Sequence, residues 1–343
     1  MQVITKLDKL EILNLIPRYK IDLLNRIIQN HPFRITKELA NTVSSNLNSP
    51  LYKQFIPDLS ENNYLDVELE DPIGDLAHQA VKGIVHRYPG RCLLMPTTIC
   101  PVYCRFCFRK ERVGPGHPSL TKQELQQAIN YIASNTNIWE VILSGGDPLM
   151  LAASKIKFII DQLIAIPHVK VIRVHSRVPI LEPSRITEDL VAALKIAKAV
   201  YVLVHVNHKD ELSAAALAAC KKLIDNGIPV LAQTVLLKDI NDNIEALAAL
   251  MCYLVENKIK PYYLHHCDLA RGTQHFRTSI QAGQQLVQQL RGRFSGLCQP
   301  LYVLDLPGGF GKVPIAESNI VKNAANSYLI SDYMGIVHKY TDA

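Results

Sequence analysis

The stretch 92-CLLMPTTICPVYCRFCFRK-110 decides how the rest is read: a short β-rich run, 92–97, ends in a loop carrying three cysteines. Six more β-rich runs follow at 139–144, 169–176, 201–206, 228–237, 260–266 and 301–305. Helical patterns separate them at 122–134, 153–166, 187–198, 213–226, 243–257 and 279–293, the first opened by Thr121 and Glu124 as a capping box. Strand–helix alternation with short connections predicts parallel strands joined by right-handed crossovers. The fold class is therefore α/β, and the expected architecture is a full or partial (β/α) barrel. On pattern alone, a doubly wound open sheet is the alternative. A barrel makes one demand, that functional residues lie just past the C-terminal ends of the strands.

Outward from this core the chain changes character. In 8–30 apolar residues recur at helical spacing, broken at Pro17, and a second helical stretch runs from 36 to 43. The segment 47–75 is polar, contains prolines and reads as a loop. The tail 324–343 reads as a hairpin turning near 332–335. The expected division is a helical N-terminal extension over 1–80, the barrel over 81–313 and a C-terminal tail or hairpin over 314–343.

Of the 343 residues, 48% are hydrophobic and 20% charged, which excludes wholesale disorder. No apolar run is long enough to span a bilayer, and the N-terminus has no basic stretch leading into an apolar core, so a cytoplasmic protein is expected. The net charge of +6 suits anionic ligands, but no basic arm suggests nucleic acid. Eight cysteines in a chain of this size point to metal rather than to a disulfide scaffold.

Cys100, Cys104 and Cys107 are spaced C-x3-C-x2-C. Three close thiolates can hold three irons of a [4Fe–4S] cluster and leave the fourth open, whereas clusters that only carry electrons normally take four thiolates. A zinc site with a distant fourth ligand, Cys92 being the candidate, is the competing reading. After the second strand comes 144-SGGDPLM-150, whose glycines permit close backbone approach and whose Asp147 adds an acceptor for an ammonium. After the last strand, 307-PGGFGK-312 fails the phosphate-loop spacing but presents Lys312, placed for Schiff-base chemistry with pyridoxal phosphate. In 86-HRYPGR-91, Arg87 and Arg91 can clamp a phosphate and Tyr88 can meet a pyridine ring; a solvated basic patch is the bland reading.

The cysteine spacing resembles the radical S-adenosylmethionine superfamily, and the motifs together, over roughly residues 80–315, resemble the lysine 2,3-aminomutase family. That resemblance implies an isomerase, an intramolecular aminotransferase converting L-α-lysine to β-lysine by 1,2-amino migration. Its cofactors are a [4Fe–4S] cluster, S-adenosylmethionine (the source of a 5′-deoxyadenosyl radical) and pyridoxal 5′-phosphate, which accepts the amino group as an imine. Carried over residue by residue, Lys312 anchors the pyridoxal phosphate, Arg87 and Arg91 hold its phosphate, and Tyr88 lies by its ring. Ser144, Gly145, Gly146, Asp147, His205 and Gln233 surround S-adenosylmethionine, and Arg109 takes the substrate carboxylate. Asp268 and Asp305 match the pair that binds the ε-ammonium of lysine. Two carboxylates facing one point in a dry cavity suit a cation and would otherwise repel. Arginine or glutamate 2,3-aminomutases are the alternatives inside the family, and a non-catalytic iron–sulfur carrier or sensor is the alternative outside it. An amino acid substrate, a reductant such as flavodoxin or ferredoxin and a homo-oligomer are the implied partners, without nucleic acid or membrane. The compact length resembles the branch that supplies β-lysine for modification of elongation factor P. Phe310 departs from the family's glycine at that position, which puts the loop's shape in question.

Overall fold

The computed structural model describes residues 2–43, 46–316, 319–324, 326–332 and 334–341. All seven β-rich runs are strands of one sheet. Named in chain order, the sheet's strands are β1 (Gln79–Val81), β2 (Ile84–Tyr88), β3 (Arg91–Thr97), β4 (Glu140–Gly145), β5 (Val171–Ser176), β6 (Ala199–His205), β7 (Val230–Leu236), β8 (Lys260–His266), β9 (Leu301–Leu306) and β10 (Gly311–Pro314). Their spatial order is their chain order. β3 to β9 are parallel, while β1–β2–β3 and β9–β10 are antiparallel additions at the two edges.

Sequential order discriminates between the two expected architectures. A doubly wound sheet reverses its strand order at a switch point. Here every right-handed crossover steps the same way, so the connecting helices all fall on one face and the sheet curls around the other. The result is a partial barrel of the radical S-adenosylmethionine type: β1 and β10 do not hydrogen-bond to each other among the described residues. Side chains cross the opening instead. Tyr88 Oη accepts from Lys312 N at 2.7 Å, and a ring nitrogen of His78 lies 3.1 Å from Gly309 O.

The helices are α1 (Lys122–Ser134), α2 (Ala153–Ile164), α3 (Glu188–Leu194), α4 (Ala214–Asp225), α5 (Ile244–Glu256) and α6 (Ile280–Arg293). Five begin at a side-chain cap, from Thr121, Thr187, Ser213, Asn243 and Ser279, as their sequences dictate. Two end earlier than their periodicity suggests: α2 stops at Ile164 and α3 at Leu194, because the chain turns there toward the next strand. Alternation within the strands separates two environments. In β5, Ile172 and Val174 are buried under the helices, while Arg173 and His175 point to the concave side.

The N-terminal extension is short helices, Asp8–Ile12, Ile21–Asn30, Lys37–Val43 and Pro50–Phe55, with a small strand pair joining Val3–Ile4 to Ile35–Thr36. The helix at 50–55 lies in the stretch read as loop. Six residues are too few to show a period, but Ser49 caps it and Pro50 opens it. Leu10, Ile27 and Phe55 belong to the same buried apolar cluster as the barrel strands. Arg105, fully buried in the cysteine loop, ties that loop to the extension through Glu61 (2.6 and 2.9 Å) and the carbonyls of His31 and Pro32. The tail forms the expected hairpin, Ser327–Ser331 with Val337–Thr341, and adds a third strand, Ile320–Ala324. Its turn is set by Asp332, which accepts from Met334 N and Ile336 N, and by Gly335 at φ 82°; Tyr333 lies outside the described residues. Among the described residues no helix is long and apolar enough to cross a membrane.

Candidate active site

The concave side of the sheet encloses a cavity of about 500 Å³. Every residue singled out in the sequence as a site residue lines it: the three cysteines, the Ser144–Asp147 loop, Arg87, Tyr88, Arg91, Arg109, His205, Gln233, Asp268, Asp305 and Lys312. Chain segments more than 200 residues apart therefore converge on one space.

The cysteine loop occupies one end. Burial raises all three thiols, Cys107 to about 11; repulsion from the neighbouring thiolates adds to it at Cys100 and Cys107, whereas Arg177 offsets part of it at Cys104. A metal group that binds thiolates would replace those protons with its own positive charge. Arg177 Nη1 donates to Cys104 Sγ at 2.7 Å and is itself braced by Glu211 at 2.5 Å and Gln54 at 3.1 Å. Among the described residues no three His, Cys, Asp or Glu side chains close around a single metal-ion position. Cys92, the candidate fourth ligand, is a buried strand residue.

The glycine loop is built differently from its sequence reading. A Cβ on Gly145 would stand 2.6 Å from Thr97 O, and one on Gly146 would stand 2.5 Å from the Thr98 carbonyl carbon. These glycines let the loop lie directly on the start of the cysteine loop. Asp147 also has inward partners, accepting from Ser176 Oγ (2.7 Å), Arg177 N (2.7 Å), Val178 N (3.1 Å) and Leu149 N (3.1 Å). The carboxylate read as an acceptor for an ammonium thus fastens its own loop to the segment after β5. His205 contacts Asn207 through a ring nitrogen at 3.1 Å and meets Phe106 edge-on. Burial holds it neutral.

Lys312 lies on a strand, β10, rather than in the loop, directly opposite Asp305 in register. Its Nζ bonds both Asp305 oxygens at 2.5 Å. Gly308, Gly309 and Gly311 adopt φ of 82°, 84° and 96°, a region closed to most L residues, whereas Phe310 is ordinary right-handed backbone with its ring in solvent. The loop needs glycine at 308, 309 and 311 and not at 310. Burial raises Asp305, but His265 and Lys312 outweigh it and hold the carboxyl below the usual range. Asp268 has no such partner. Burial and the facing Asp305 push it up to about 7.

Sequence reasoning missed Asp75. Almost fully buried, it accepts from Arg109 Nε at 2.7 Å and from Arg87 Nη2 at 3.3 Å, with Arg112 at 3.9 Å. Arg109 also donates to Ser144 Oγ at 3.1 Å. Arg87, read as half of a phosphate clamp with Arg91, gives one nitrogen to Asp75 and the Ile73 carbonyl and turns another toward Asp305, while Arg91 stacks on Tyr88 at 3.7 Å. Gly74 (φ 67°) explains how Asp75 reaches the site: a Cβ there would strike Gly309 N at 2.5 Å, so the loop before the barrel rests on the lysine loop. Also missed were Arg173, paired with Glu140 at 2.9 Å, and His175 and His265. Their signal was available, as polar residues at alternate positions of otherwise apolar strands. The Nε atoms of Arg87, Arg173 and Arg177 and Nε2 of His175 are buried without a partner. Four orphaned donors or acceptors around one cavity fit polar occupants, as an anionic cofactor and a zwitterionic amino acid are.

Comparison with known proteins is consistent along the chain. A family profile for the radical SAM superfamily matches residues 94–251, and one described as lysine-2,3-aminomutase matches residues 287–343. An L-lysine 2,3-aminomutase of Clostridium subterminale is 37% identical over 295 residues, spanning 86% of this chain and 71% of that one. An L-lysine 2,3-aminomutase of Methanococcus maripaludis is 38% identical over 321 residues, 93% of this chain and 74% of that one. A glutamate 2,3-aminomutase of Clostridioides difficile is 33% identical over 288 residues, 83% and 68% respectively.

Proposed function

Because the chain belongs to the lysine 2,3-aminomutase family of radical S-adenosylmethionine enzymes, we propose that it converts L-α-lysine to β-lysine. The bound [4Fe–4S] cluster with S-adenosylmethionine supplies the agent that removes a hydrogen atom from the substrate, and pyridoxal phosphate supplies the carbon that holds the migrating nitrogen. Cys100, Cys104 and Cys107 would hold the cluster, with Arg177 donating to one sulfur. Lys312 would anchor the pyridoxal phosphate, with Arg87, Arg91 and Tyr88 beside it.

The observation that carries the choice of substrate is the facing pair Asp268 and Asp305, with Asp268 still able to take or lose a proton near neutrality. An ammonium between two carboxylates gives both a reason to be charged, and a glutamate side chain gives neither one. Arg109 marks the other end. Asp75 and Ser144 fix two of its nitrogens and leave Nη2 for the substrate carboxylate. A substrate held at both ends presents Cβ in one orientation, and orientation is the main service a protein can offer a reaction of this kind. The net charge of +6 supports an anionic one-electron donor of the flavodoxin or ferredoxin class. A cytoplasmic location and a homo-oligomeric state are parts of the same proposal.

Anaerobic reconstitution with iron, sulfide and pyridoxal phosphate, followed by separate incubation with lysine, arginine and glutamate, tests the reading. β-Lysine should form with the highest kcat/KM. Preference for arginine or glutamate would overturn the substrate assignment.

A further inference from the structure

His265 lies on β8 and faces the cavity next to the lysine end. Its Nδ1 is 3.4 Å from Asp305 Oδ2, and the same carboxylate holds Lys312 Nζ at 2.5 Å through both oxygens. Lysine, carboxylate and imidazole therefore form one connected series. Among the described residues the other ring nitrogen, Nε2, has no hydrogen-bond partner. Burial disfavours the imidazolium, as does the Lys312 charge, and Asp305 opposes them without reversing the outcome. A neutral ring whose Nδ1–H points at a carboxylate keeps its lone pair on Nε2, on a side chain that lines the cavity.

The proposed function leaves a proton unaccounted for. A substrate amine enters as an α-ammonium with no lone pair, yet it must displace Lys312 from the carbon that holds it. Lys312, on leaving, must gain a proton to become the ammonium that Asp305 pairs with. We propose that His265 is the proton carrier of this exchange, taking the proton from the substrate α-ammonium at Nε2 and delivering it to Lys312 Nζ. The substrate N–H bond breaks, and the electron pair left on that nitrogen forms its bond to the carbon that holds Lys312; a second proton then passes from the substrate nitrogen to Lys312 Nζ, and the bond from Nζ to that carbon breaks with its electron pair going to Nζ. The Nε2–H bond forms, with Asp305 beside Nδ1 stabilising the transient imidazolium. That proton then moves to the released Lys312 amine, so no proton is gained or lost overall and no oxidant is needed. This inference rests on Lys312 being the pyridoxal phosphate lysine.

The groups facing His265 come from several strands: Asp305 on β9, Lys312 on β10, His175 on β5 and His205 on β6, with the Tyr263 ring 5.4 Å away on its own strand. Both other histidines are held neutral by burial. Neither has a carboxylate beside it.

The exchange precedes any radical chemistry, so it can be watched by stopped-flow absorbance in protein loaded with pyridoxal phosphate, with lysine but without S-adenosylmethionine or reductant. His265→Gln, which keeps a donor for Asp305 but offers no basic nitrogen, should slow the exchange by about 10²-fold or more. Its pyridoxal phosphate content and lysine affinity should match wild type, and added imidazole should restore part of the rate to His265→Ala. An unchanged rate in His265→Gln overturns the inference, and so does a slow rate accompanied by loss of cofactor or lysine affinity. Borohydride trapping and peptide mapping of the wild-type protein separate the premise from the inference. A label on a lysine other than Lys312 overturns the premise, whereas an unchanged His265→Gln rate with the label on Lys312 overturns the proton-carrier role alone.

Discussion

Asp268 should make lysine recognition depend on pH in a way no other residue of the cavity does. With its pKa pushed up to about 7, it is largely protonated at pH 6 and largely ionised at pH 8. Only the ionised form rewards an ammonium, so below pH 7 lysine affinity should fall by roughly tenfold per pH unit, about 1.4 kcal/mol each. Norleucine, which has the same stem without the ammonium, corrects for every titration the two ligands share. The measurement is the ratio of lysine to norleucine affinity from pH 5.5 to 8.5 in protein loaded with pyridoxal phosphate. In wild type the ratio should climb and level off above 7. In Asp268→Asn it should be flat, and at pH 8 lysine binding should be weaker by about 2–5 kcal/mol, thirty- to several-thousand-fold. Stability moves the opposite way. A carboxyl whose folded pKa is raised contributes stability that is complete below its unfolded value near 3.8 and lost as pH rises through about 7. The loss is at most about 4 kcal/mol, reduced by water in the cavity. The ligand-free protein should therefore melt lower at pH 8 than at pH 6, and lysine should restore more at pH 8. A lysine/norleucine ratio that ignores pH and is untouched in Asp268→Asn would refute the assignment of this carboxylate to an ammonium.

Asp75→Asn removes the carboxylate that Arg87, Arg109 and Arg112 share. It should destabilise the protein by roughly 3–5 kcal/mol and weaken lysine and norleucine alike, measured by thermal melting and by titration. Burial raises Asp75, but Arg109, Arg87 and Arg112 together outweigh it and lower its pKa, so its contribution is present above the unfolded value and lost as pH falls through the folded one, and the gap between wild type and variant should narrow in acid. Cys100→Ala, Cys104→Ala and Cys107→Ala should each lower the iron bound on reconstitution, whereas Cys220→Ala, deep in α4, should bind as much as wild type; equal loss from Cys220→Ala would sink the three-cysteine assignment.

The strands and their order were legible because parallel strands covered by helices are written as short β-branched runs with helix caps between them. Lys312, the cysteines and Asp305 were singled out because each lies at, or within a few residues past, the C-terminal end of such a run. Asp75 was not, for a physical reason: its role depends on the contact of Gly74 with Gly309, a meeting of backbones 235 residues apart that leaves only an ordinary Asp-Pro-Ile-Gly-Asp turn in the sequence. Gly145 and Gly146 have a neighbour the sequence did not name, the start of the cysteine loop, besides lining the cavity. A glycine records that something lies close, and whether that is a ligand or another loop is settled only in three dimensions. β10 escaped because four residues, the first a glycine and two more glycines just before, carry no strand pattern, and its pairing with β9 supplies the order instead.

A barrel interior is ordinarily filled with apolar side chains that stabilise it. This one carries Arg173 and His175 on β5, Tyr263 and His265 on β8, and Asp305 on β9, with apolar residues turned out to the helices. The fold therefore takes its stability from the outer layer and from the N-terminal extension that shares its core. The inner face is left with Nε of Arg87, Arg173 and Arg177 and Nε2 of His175 unpaired, each at a penalty of about 1–3 kcal/mol. A ligand that satisfies them recovers that penalty in addition to its own contacts. The four lie at different heights, from Arg177 beside the cysteine loop to Arg173 near the start of its strand, so no single small ligand can meet them all. The cavity is complete only when several occupants fill it together, one at the sulfur end and another at the lysine end. On the proposed reading the substrate lies between them, held from Arg109 to Asp268.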